Sequence, residues 1–167
     1  MKNKKYLSKI LYFLILFLQF TFVLSDELKF EAATIETSNN GNLIKGFGGV
    51  EINDNVNLTL TGEEFQYNKL DMQLSIKDNV LIRDKFNKNL IKSKKITFNK
   101  KLNIINIPDN AIIEIDGGYL IEGSNITFDK NLNLIISNNK TLITDLYENK
   151  FYMHTFSYSI IDKILIA

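Results

Sequence analysis

Tyr67-Asn68-Lys69, Phe98-Asn99-Lys100 and Phe128-Asp129-Lys130 recur at spacings of 31 and 30 residues, and this recurrence decides the fold. The surroundings recur in the same register. Five residues before each aromatic stands a small residue, Gly62, Ser93 and Gly123, and seven before it an aliphatic, Leu60, Ile91 and Ile121. Two before the aromatic the series is Phe65, Ile96 and Ile126, and seven after it Leu74, Ile105 and Ile135. The frame extends forward through Phe151, Met153, Phe156, Tyr158 and Leu165, and backward through Phe30, Ala32, Ile35, Thr37 and Ile44. Between copies a second segment recurs, opening at Val50, Val80, Ala111 and Thr141 and reaching an acid at Asp54, Asp84, Asp116 and Asp145. Only the Asp116 copy is displaced, by one residue. Self-similarity at a fixed period of this size marks an architecture in which each unit buries its apolar face against its neighbours.

Within each copy the apolar residues alternate, as in Ile96/Phe98, Ile126/Phe128, Ile113/Ile115 and Val80/Ile82, which is the period of a strand. Turn formers cluster between the runs, in Asn39-Asn40-Gly41, Asp116-Gly117-Gly118 and Asn138-Asn139-Lys140. No stretch after residue 25 reads as an amphipathic helix. The expected fold is therefore an all-β stack built from repeats of about thirty residues. With one layer per rung, four to five rungs predict a body roughly 20–25 Å long. The small residues five before each aromatic predict a bulge or corner where a strand passes from one wall to another.

Composition narrows the function. The chain has 167 residues, 45% of them hydrophobic, with 20 basic and 19 acidic side chains, no cysteine and one histidine. Charge this balanced, with basic residues alternating with acids along the strands, leaves no footprint for nucleic acid. The absence of cysteine excludes a disulfide scaffold and thiolate chemistry, and a lone histidine leaves little for metal or acid–base sites. An enzyme is not expected, and neither a cofactor nor a metal.

Lys2, Lys4, Lys5 and Lys9 precede a nearly unbroken apolar run from Ile10 to Leu24, the layout of a secretory signal peptide cleaved after Ser25. An uncleaved single-pass anchor is the other reading of the same segment; both export residues 26–167. Removal of the four lysines takes the formal charge from +1 to −3.

Three elements together carry a family resemblance: Phe30-x-Ala32-x-x-Ile35, then Gly41-Asn42-x-Ile44-x-Gly46-x-Gly48-Gly49-Val50-x-Ile52, and the three Tyr/Phe-Asn/Asp-Lys rungs. Over roughly residues 28 to 165 the chain resembles the lipopolysaccharide-transport, organic-solvent-tolerance-like (OstA-like) domain family. That family is found in the periplasmic bridge protein LptA and at the N-terminus of the outer-membrane translocon LptD. The resemblance implies a β-jelly roll folded like a taco, in residues 26–167. It further implies a Gram-negative periplasmic location, associated with outer-membrane assembly, and lipopolysaccharide as the ligand. Other jelly-roll domains of the transport bridge would be partners, joined edge to edge, with head-to-tail self-association as a corollary. The translocon would continue with a large transmembrane barrel where this sequence stops at Ala167, so the chain is expected to be either a stand-alone bridge-like protein or a fragment of the longer one.

The inward set of the repeat is the candidate lipid-binding lining: Phe30, Ile35, Leu60, Phe65, Tyr67, Ile91, Ile96, Phe98, Ile121, Ile126, Phe128 and Phe156. The alternative is that these side chains pack on one another in a structural or adhesive surface β-solenoid with a solid core. A small outer-membrane barrel is disfavoured by short strands and frequent polar turns. Tyr158, Ile160 and Ile161, in the last rung, are the candidate edge-docking residues. His154 falls at the repeat position of Glu63, Lys94 and Ser124, which makes it a turn or outward residue. Gly46-x-Gly48-Gly49 lacks a following Gly-Lys-Ser/Thr and reads as a bulged approach to the Val50 strand.

Overall fold

The computed structural model describes residues 28–116 and 118–166; the expected export signal, residues 1–25, lies outside them. Alternation of apolar and polar side chains gives strands throughout. They are β1 (Lys29–Ser38), β2 (Leu43–Asn53), β3 (Leu58–Asn68), β4 (Gln73–Asp84), β5 (Leu90–Asn99), β6 (Ile104–Ile107) and β7 (Ala111–Ile115). The chain continues with β8 (Tyr119–Gly123), β9 (Ile126–Asp129), β10 (Leu134–Ser137), β11 (Thr141–Thr144), β12 (Lys150–Met153), β13 (Phe156–Ser159) and β14 (Ile164–Ile166). Every pairing is antiparallel, and all the strands belong to one open sheet.

The sheet is a two-walled, taco-like β-jelly roll, and its corner is made by bulges. β1 to β5 are long and cross both walls. Their pairings slip register in mid-strand, between Ala32 and Thr34, Phe47 and Val50, Thr61 and Glu64, and Lys77 and Val80. A bulge bends the strand that carries it. In β2 the slip falls on Gly48 and Gly49, with φ of 80° and 82°; in β4 it falls on Asp78 and Asn79, with φ of 57° and 52°. The expected bulge before Val50 is thus present. At Gly62 an added Cβ would lie 2.5 Å from Ile76 Cγ2 and 3.1 Å from the Lys77 carbonyl oxygen, so the tight corner demands glycine.

After β5 the walls separate. Thr97–Asn99 of β5 pair with β6, while Leu90–Ser93 pair with β7. The first wall continues through β9, β10, β13 and β14, the second through β8, β11 and β12. A repeat therefore adds two strands to each wall rather than one layer. The first wall is ten strands deep, so the stack is roughly 43 Å long at the usual strand spacing, about twice the expected length.

The Tyr/Phe-Asn/Asp-Lys motif makes the turns on the first-wall rim. The Asn68 side chain accepts from Leu70 N, Asn99 from Leu102 N, and Asp129 from Asn131 N and Leu132 N. The following residue joins successive turns through its backbone: Lys69 N donates to Asn42 O, Lys100 N to Met72 O, Lys130 N to Asn103 O, and Ile160 N to Asn133 O. Each turn closes in the left-handed region, at Met72, Asn103, Asn133 and Lys163. On the second-wall rim the recurring acids cap their own turns. Asp54 accepts from three backbone amides, Asp84 from those of Phe86 and Asn87, and Asp145 from those of Tyr147 and Asn149.

Two substitutions test this geometry by urea denaturation. Gly62→Val is expected to cost about 2 kcal/mol, the scale of overpacking a tight site; an unchanged midpoint would mean the corner has room. Met72→Asn is expected to stabilise by up to about 1 kcal/mol, because asparagine tolerates the left-handed conformation that methionine resists.

Candidate functional site

Antiparallel register aligns the inward side chains of successive strands into ladders. On the second wall one ladder runs Phe30, Ile52, Leu60, Ile82, Ile91, Ile113, Ile121, Ile143 and Phe151, each opposite the next. On the first wall another runs Thr37, Ile44, Tyr67, Leu74, Phe98, Ile105, Phe128, Ile135, Tyr158 and Leu165. Nearer the corner, Ile35, Gly46, Phe65, Ile76 and Ile96 continue as Ile107, Ile126, Ser137 and Phe156. These ladders hold all twelve residues of the candidate lining.

In mid-stack the lining is packed shut. Leu60, Phe65, Ile91, Ile96, Phe98, Ile121, Ile126, Phe128 and Phe156 are buried, none more than 3% exposed. The ends differ: Ile35 on β1 is 47% exposed and Phe151 on β12 is 44% exposed, so the apolar interior meets solvent at both ends. Near the β1 end the rings of Phe30 and Phe65 stack with centroids 4.9 Å apart, and Tyr67 lies 5.2 Å from Phe30. Gly46 makes this possible, since a Cβ there would collide with the Cε1–Cδ1 edge of the Phe65 ring. Leu74, Ile76, Ile105, Ile113 and Ile143 share the ladders, although the candidate lining omitted them. Their strand alternation was the signal that could have included them.

Side chains close the open side of the V. Lys130, on the first-wall rim, places Nζ 2.7 Å from Asp54 Oδ2 on the second-wall rim, 76 residues away in sequence. The same ammonium stands 5.4 Å from the centroid of the Phe98 ring. Burial pushes the Asp54 carboxyl upward, but the Lys130 hydrogen bond and the amides of Leu58 and Val56 outweigh it and hold the group below its ordinary value. Further along, Lys163 Nζ lies 3.7 Å from Asp116 Oδ2. The Asp116 turn is shorter than its counterparts, Gly118 N donating to Ile115 O. Ile160, which stands where earlier copies have lysine, is buried and lines a crevice between the rims with Phe86, Asn89, Asp116 and Tyr158. Burial raises the Tyr158 phenol, and the charges of Asp116 and of the Tyr119 phenol add to the shift. No alternation rule could have shown these cross-rim contacts.

The remaining candidates divide, Tyr158 belonging to the first-wall ladder and Ile160 and Ile161 to the turn beyond it. Tyr158 lies on β13, between β10 and β14, and is buried; Ile160 and Ile161 lie in the turn that follows, and Ile161 is exposed. The outermost strands are β1 at one end and β14 and β12 at the other. His154 is exposed in the bend between β12 and β13. Among the described residues no group of acids and histidine is arranged to hold a metal ion. A hollow of about 780 Å³ lies on the outside of the corner, with polar groups that include Lys92, Lys94 and Lys140 sharing its lining with Val80, Leu81, Ala111 and Ile112.

No protein-family model matches the chain, and no curated protein matches it. Thirteen chains of solved structure do. One is LptH from Pseudomonas aeruginosa, described as the LptA-homologous periplasmic component of the lipopolysaccharide transport device. It is 14% identical, the match covers 85% of this chain and 82% of LptH, and the TM-score is 0.34. A superposition of that quality fixes no residue correspondence.

The Asp54–Lys130 pair makes a pH prediction with a defined sign. Because the folded Asp54 carboxyl titrates below its ordinary value of 3.8, its contribution is complete above that value and is lost as pH falls through the lowered one. At neutral pH Asp54→Asn is expected to cost on the order of 3 kcal/mol, the scale of breaking a buried pair. Urea midpoints measured from pH 7 down to about 2 should show the wild-type advantage shrinking only in the acid range. Parallel curves would show that Asp54 ionisation contributes nothing.

Proposed function

We propose that this chain is an exported, non-enzymatic module of lipopolysaccharide transport, which shields acyl chains between the walls of its jelly roll. The observation that carries the reading is the predominantly apolar inner face, interrupted in its ladders by Thr37, Gly46 and Ser137, which runs the length of the stack and meets solvent at both ends, at Ile35 and Phe151. The repeat motif and its resemblance to the OstA-like family support the same reading independently. Each methylene kept from water contributes about 0.8 kcal/mol, so an acyl chain of about a dozen carbons would cost on the order of 9 kcal/mol to expose. An apolar interior removes that cost without chemistry.

In this reading the location is the periplasm, with cleavage after Ser25 releasing residues 26–167, and the work is outer-membrane assembly. The strand edges that no described strand pairs supply the partner surfaces. β1 offers a long edge that spans both walls, and the far end offers β14 and β12. Backbone groups on such edges accept a further strand, so like domains of a transport bridge, or further copies of this chain, would extend the ladders head to tail. Tyr158, Ile160 and Ile161 would act on the far-end contact by supporting β14 and its turn.

A second reading is favoured by one specific observation, the close packing of the mid-stack ladders. A structural or adhesive solenoid with a permanently solid core would show the same burial. Photocrosslinking separates the two. Phe98 and Phe128, each replaced by a photoreactive phenylalanine analogue in cells that make lipopolysaccharide, are expected to give lipid adducts. Outward-facing Glu114, treated in the same way, is expected to give none. Absence of adducts at both aromatic positions in folded, exported protein would transfer the assignment to the solid-core solenoid.

A further inference from the structure

We propose that Lys130 and Asp54 form a latch across the open side of the V, and that its release opens the interior along that side. The ligand admitted is the acyl chain of the reading above, and on that point alone the inference rests on that reading. The sheet's own ladders run along each wall and meet only at the corner, so the rims opposite depend on side chains to stay together. Lys130 and Asp54 are joined at 2.7 Å, and their side chains are 14% and 6% exposed, which protects the pair from solvent screening. One half is immobile. Oδ1 of Asp54 accepts from the amides of Val56, Asn57 and Leu58, so the carboxylate cannot follow a departing rim.

The lysine half sits over the interior. Its ammonium is 5.4 Å from the centroid of the Phe98 ring, and Phe98 is cross-strand neighbour to Leu74 and Ile105 in the first-wall ladder. An apolar ligand arriving from the open side meets this ammonium before it meets Phe98. Lys163 and Asp116 make a second contact across the same opening, longer and more exposed, and so weaker. An ion pair of one flexible and one fixed partner suits a reversible closure. A lysine can swing out on its stem, whereas hydrophobic packing at the same place would have to be exposed to part.

The test uses the absence of cysteine, which makes any introduced thiol unique. Ile105→Cys places a thiol on the inner face beside Phe98, and Ile76→Cys places one beside the corner; both positions are fully buried. Labelling by a soluble thiol reagent is followed in otherwise wild-type protein and with Asp54→Asn, Lys130→Gln or Lys130→Arg added. Lys130→Gln leaves the Asp54 turn intact, so the test survives if Asp54→Asn fails to fold. Expected is a tenfold or greater acceleration at position 105 with Lys130→Gln, little change at position 76, and slow labelling restored by Lys130→Arg. Equal acceleration at both positions, or none at 105, would overturn the latch, because the pair would then merely stabilise the whole fold or hold nothing. A fluorescent twelve-carbon fatty acid is then offered to the same proteins, and Lys130→Gln is expected to take it up faster. If position 105 opens on cue yet no variant takes up the probe, the latch stands and the acyl-chain reading falls.

Discussion

Cross-strand register is the constraint on which everything else in this protein depends. Side chains alternate faces with a period of two, so a slip of one residue in any pairing would turn an entire inner face outward. No strand here can bury its apolar face alone. Ile96 is buried only because Ile76 stands opposite it, and Ile76 only because Phe65 follows. The motif residues keep the register. Asn68, Asn99 and Asp129 fix the shape of their turns, while the amides of Lys69, Lys100 and Lys130 tie each turn to the one before. The sequence repeat is thus first a register device.

A single ladder sheet would remain flat and leave its apolar face in water. The bulges in β2 and β4 solve this by bending the long strands in mid-course, so that one half faces the other. From β6 onward the chain reaches the same result with separate short strands on each wall. The two walls then bury one another, and the close approach uses glycine at Gly62, glycine at Gly46 beneath the Phe65 ring, and the contacts across the rims. The energetic logic of the proposed function follows from the same arrangement. A core held between two walls joined along one edge can in principle be parted along the other, which a closed barrel or a solenoid wound around its core cannot do.

The rim contacts divide the four copies unequally. Lys130 reaches Asp54, whereas in the last copy the equivalent residue is the buried Ile160, and Lys163 supplies the charge to Asp116 instead. Three of the recurring acids spend their oxygens on their own turns, and Asp54 does so while also meeting a lysine. Asp116, in its shorter turn, is left to face Lys163. The displacement of the Asp116 copy by one residue, visible in the sequence, has this structural consequence.

Much of the fold was legible in the sequence because it is governed by local periodicity. Alternation at Ile96/Phe98 and Val80/Ile82 identified strands, the recurrence of Tyr67, Phe98 and Phe128 identified the stack, and the small residues Gly62, Ser93 and Gly123 marked the corner. Each of these follows from the pleat, which depends only on neighbours in the chain. The length of the stack was underestimated, because a repeat period counts residues and not the number of times they cross a wall. The pairing of Lys130 with Asp54 was out of reach for a related reason. Both residues are ordinary turn residues within their own copies, and what joins them is the twist and folding of a whole sheet over 76 intervening residues. Local chemistry decided which faces are apolar; only the tertiary structure decided which rims meet, because that contact is set by the geometry of all the strands between them.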